Sequence, residues 1–65
     1  MDLRDKAYEI NEYFLKGALN EYACAKSLWN DLCDLNKNLG WELTYKNGNP
    51  IEEYEMELIL SYYNS

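Results

Sequence analysis

Residues 20–39, NEYACAKSLWNDLCDLNKNL, decide how this chain folds. At about 100° per residue, Ala25, Leu28, Leu32, Leu35 and Leu39 fall on one narrow helical face, at spacings of three and four. Tyr22, Trp29 and Cys33 form a second band, offset by roughly a third of a turn. Apolar groups over so much of the circumference mark a helix that meets two parts of its own chain, or one part and a partner. Asp31 and Asp34 are left for water. The helix stops at Gly40, just past the last periodic leucine, with Lys37 in its last turn where a cation suits the dipole.

Working towards the start, residues 2–16, DLRDKAYEINEYFLK, read as a first helix. Leu3, Ala7, Ile10 and Phe14 form its apolar row, and Asp2 and Asp5 place negative charge on its first turn. Gly17 leaves two readings open. It ends this helix as a left-handed cap, with Asn20 capping the next, or the helix runs on. A glycine inside a helix costs only about 1 kcal/mol relative to alanine, so Gly17 alone does not decide. Continuity keeps the two apolar rows in phase but puts Glu21 in the middle of them. It also makes one helix of roughly 55 Å, which would compel dimerisation. The sequence favours a break or sharp bend near residues 17–20.

Working towards the end, WELTY at 41–45 alternates apolar and polar residues as a short extended segment does. KNGNP at 46–50 is a turn. Residues 50–63 fit a helix with Asn49 as cap, Pro50 in the first position and Glu52 completing a capping-box-like pair. Ile51, Tyr54, Leu58 and Tyr62 would share one face, with Met56, Ile59, Leu60 and Tyr63 on the other. The rival is a hairpin with residues 41–45, weakened by Pro50 in the returning strand. The expected fold is therefore mainly α over a single domain, residues 1–65: a small helical hairpin, a three-helix domain, or one long bent helix.

A chain of 65 residues buries only about 60% of the surface its unfolded form exposes, so association with another chain is expected. Without histidine, and with cysteines nine apart on opposite sides of a helix, neither a metal nor an internal disulfide is expected. Cys24 reads as core and Cys33 as nearer the surface. No stretch has the roughly 18 apolar residues of a membrane span, and residues 1–6 carry no leader signal. A soluble protein of the cytoplasm is expected. The abundance of Tyr and Asn is typical of AT-rich genes and points to a bacterial host cell or its phage.

Twelve acidic against six basic residues give a formal charge of −6, which opposes direct contact with nucleic acid. Catalysis is not expected either, because no nucleophile has a base beside it and no cofactor motif is present. The cluster Glu52, Glu53, Glu55 and Glu57 contains no base. Its ordinary reading is a solvated helix face. Its functional reading is a carboxylate patch for a basic protein surface, with Trp41, Tyr45 and Tyr54 as aromatic anchors. That reading makes the chain a small acidic inhibitor that blocks a nucleic-acid-binding surface, as DNA mimics and anti-CRISPR proteins do. The alternative is a helical homodimer serving as an adaptor or regulatory subunit. Its self-association surface would be Leu19, Tyr22, Trp29 and Cys33.

Overall fold

The first helix ends where its backbone turns left-handed. In the computed structural model, which describes residues 2–64, α1 runs over Leu3–Glu9 and continues as one wider turn over Ile10–Phe14. The Asp2 carboxylate accepts the Asp5 amide at 2.9 Å, satisfying one of the donors a helix start leaves open. Of the expected apolar row, Ala7 and Ile10 are buried, while Leu3 and Phe14 pack on the core from its margin. In the wider turn the Leu15 amide donates to the Ile10 carbonyl at 3.1 Å, and the Gly17 amide donates to that of Asn11 at 2.7 Å. Lys16 (φ 51°) and Gly17 (φ 90°) then both enter the left-handed region. A right-handed helix cannot continue through two such residues. The single long helix is thereby excluded, and a molecule 31 Å in its longest dimension has no room for it.

A short 3-10 turn over Leu19–Glu21 buries Leu19 beneath the break. Asn20 lies inside that turn and does not cap the next helix. α2 spans Ala25–Leu39, beginning five residues after Asn20, the cap the sequence offered, with extended Cys24 before it. Leu28 and Leu32 are fully buried, and Ala25 and Leu35 pack at the margin. Leu39 overshoots the core and is 58% exposed. Gly40 (φ 71°) closes the helix as expected, its amide donating to the Asn36 carbonyl at 3.1 Å. The expected burial of the cysteines is reversed. Cys24 is outside the helix and exposed, whereas Cys33 is half-buried on it.

Residues 43–51 form a tight hairpin loop, and the helix expected from Pro50 begins only at Glu55. The Ile51 amide donates to the Leu43 carbonyl and the Tyr45 amide to the Asn49 carbonyl, both at 2.8 Å. Thr44 and Pro50 face each other between those bonds, where the amide that proline lacks is not needed. Asn49 and Pro50 therefore belong to the loop, and the capping role read for Asn49 and Glu52 is not realised. α3, Glu55–Tyr63, buries Met56, Ile59 and Leu60. It packs on α1 and α2, and one apolar cluster joins all three helices with Leu19, Tyr45 and Ile51. The fold is a mainly α, three-helix domain.

Candidate functional site

The run of glutamates at 52–57 does not stay together. The turn before α3 rotates Glu55 inward, and its side chain is 5% exposed. Lys6 of α1 donates to its Oε2 in an ion pair. Oε1 accepts the Tyr45 hydroxyl at 2.9 Å and the Glu52 amide at 3.1 Å. The Lys6 ammonium also stands 5.5 Å from the centroid of the Tyr45 ring. Burial alone would raise the Glu55 carboxyl, but Lys6, the Glu52 amide and the Tyr45 hydroxyl together hold it below its ordinary value. The bond to Glu55 raises Lys6 in turn. Tyr45 is pushed up by burial and by the carboxylate it serves. Glu55 and Tyr45 are thus a structural pair, and neither is available to a partner.

Glu52, Glu53 and Glu57 remain on the surface with Tyr54, which is 70% exposed, and Leu58, 53% exposed. Glu53, Tyr54 and Glu57 line an open groove of about 390 Å³ against Ala25 and Lys26 of α2. No ion pair among the described residues joins Lys26 to either carboxylate. Trp41 does not line this groove. It packs edge-on against Phe14, ring centroids 6.2 Å apart, at the far end of α1.

The residues read as a self-association band are largely used within the chain. Leu19 is fully buried, and Tyr22 and Trp29 pack against the core. Cys33 keeps only partial exposure. The Tyr22 hydroxyl donates to Asp31, and burial with that carboxylate pushes it up to about 12. Asp31 is therefore tied to a neighbour, and with Asp34, Phe14, Leu15 and Leu35 it lines a shallow groove. The exposed Cys24 thiol lies 3.3 Å from the Ser27 hydroxyl, which with the Ser27 amide lowers its pKa.

Sequence reasoning gave no role to Asn11, which lies in the wider turn that continues α1. It is buried, and its Oδ1 accepts the Leu19 amide at 3.0 Å. Its Nδ2 donates to the Tyr63 hydroxyl and to Glu12, each at 3.0 Å. Asn11 thereby ties the break after α1 to the end of α3. Lys46 was missed as well: its amide donates to Glu9 at 2.9 Å, and its ammonium caps Tyr13, 4.3 Å from the ring centroid. The bonds from Asn11 to Tyr63 and from Lys46 to Glu9 and Tyr13 have no local signal, since those partners are 33 or more residues apart.

Among the described residues no group of Cys, Asp and Glu converges to hold a metal ion, and no helix is long and apolar enough to cross a membrane. Comparison with known proteins finds no matching family model, no matching curated protein and no matching solved structure.

Proposed function

We propose that this chain is a non-catalytic binding protein that sets the solvent side of α3 against a basic surface of a partner protein, one that otherwise holds nucleic acid. The observation that carries the reading is the pairing of Tyr54 and Leu58, four residues apart and uncovered, with Glu53 and Glu57 beside them at the same spacing. Large apolar side chains left in water beside unpaired carboxylates suit an interface with a desolvated centre and a charged rim. The net charge of −6 supports it by steering a basic partner towards the molecule and turning nucleic acid away. Removing Glu55 from the patch leaves three carboxylates, which directs the reading to a mixed acidic and aromatic contact more than to a row of phosphate-like charges.

The test compares capture from a bacterial lysate by the tagged protein and by a Glu53→Gln, Glu57→Gln, Tyr54→Ala variant, none of whose changes touches the core. A partner released by the variant and by added DNA supports the proposal, with binding weakened about tenfold or more. A partner retained equally by both proteins overturns it.

A further inference from the structure

On the opposite flank of α3, a groove of about 340 Å³ runs between α1 and α3. Arg4, Tyr8 and Glu12 form its α1 wall at four-residue steps, and Tyr62 and Tyr63 form the other. We propose that a second copy of this chain docks here, the two α1 helices antiparallel about a two-fold axis, so that Arg4 of each copy meets Glu12 of the other.

Three observations carry this. Tyr8 is 60% exposed and stands with two further tyrosines that also reach solvent, a concentration of rigid, amphipathic rings that interfaces favour. The Tyr63 hydroxyl is held by Asn11, so that ring needs no ordering on contact. The charges decide what the occupant is. In a chain of charge −6 this groove carries one charge of each sign, which makes it a place where two copies meet without a local excess of negative charge. Arg4 lies near the amino end of α1 and Glu12 near its carboxyl end, the reverse of what a helix dipole favours. Against an antiparallel copy each charge faces the helix end that suits it. The two are about 12 Å apart along the axis, so both pairs form at once in a contact that uses the same patch twice. The inference needs neither Glu53 nor Glu57, and it moves self-association away from the band of Leu19, Tyr22, Trp29 and Cys33.

Sedimentation equilibrium of the full chain from micromolar to millimolar concentration tests it, with circular dichroism confirming that each variant is helical. Wild type is expected to dimerise. Arg4→Glu and Glu12→Arg should each weaken the dimer about tenfold, and the double exchange should recover most of the loss. Tyr8→Ser, which leaves both charges in place, should weaken it too. A monomer at every concentration would reserve the groove for a different protein and overturn the proposal. So would a dimer indifferent to the single exchanges, or a double exchange that recovers nothing.

Discussion

A carboxylate that turns inward needs partners for both oxygens, and Glu55 has a cation on one and two donors on the other. Glu55→Ala would leave the Tyr45 hydroxyl and the Glu52 amide without an acceptor. We expect it to cost about 3 kcal/mol in urea unfolding. Glu55→Gln keeps an acceptor and loses the charge, for about 1–2 kcal/mol. The pH dependence separates them from a simple packing loss. The folded carboxyl is more acidic than its ordinary value of 4.5, so the unfolded chain takes up the proton first as pH falls. The Glu55 contribution is complete above that ordinary value and is lost as pH drops through the folded one. The stability gap between wild type and Glu55→Gln should therefore close in strong acid, and a gap that persists there would exclude the ion pair as its cause. Part of this was readable. Glu55 lies four residues before Ile59 and next to Met56, so any helix through 55–63 puts it on the buried face. That its cation would be Lys6, 49 residues away, was not.

Elements were most legible where local chemistry sets them. The row from Leu3 to Phe14 and the stop at Gly40 follow from helical spacing and from a glycine that turns left-handed without strain. The ending of α1 was only half legible. Gly17 marked it, but the fastening is Asn11, whose side chain holds the Leu19 amide in the core. Asn11→Ala should cost about 2–3 kcal/mol and speed hydrogen exchange at Leu19, because a buried donor loses its acceptor. An unchanged exchange rate at Leu19 would mean that the turn holds without this bond. The start of α2 was misplaced for a clear reason. Asn20 is a favoured capping residue and Cys24 is not, yet the buried Leu19 fixes the chain path and delays the helix until residue 25. Pro50 misled too, since it sits opposite Thr44 between the two ladder bonds, a position that asks for no amide. The candidate site suffered most, because Glu55, Tyr45 and Leu19 looked like surface until the tertiary contacts drew them in.

At the scale of the whole molecule, the twelve acids on so small a body repel one another, while the partly buried Lys6–Glu55 pair is screened less by salt than surface charges are. Raising ionic strength from about 10 mM to about 300 mM should therefore lift the melting temperature of the dilute protein by a few degrees. A fall would show that surface ion attraction outweighs the general repulsion. The ties between α1 and α3 carry one more consequence. α1 makes its main helix contact with α3, where Lys6 finds its carboxylate and Asn11 its hydroxyl partner, while Ala7 and Ile10 share one apolar cluster with Met56, Ile59 and Leu60. During synthesis on the ribosome, α1 therefore emerges with its inner face unsheltered, and it waits for residues 55–63 before the native contacts can close. Nascent chains stalled short of α3 should be open to proteases and to chaperones, and release of that last helix should protect the first.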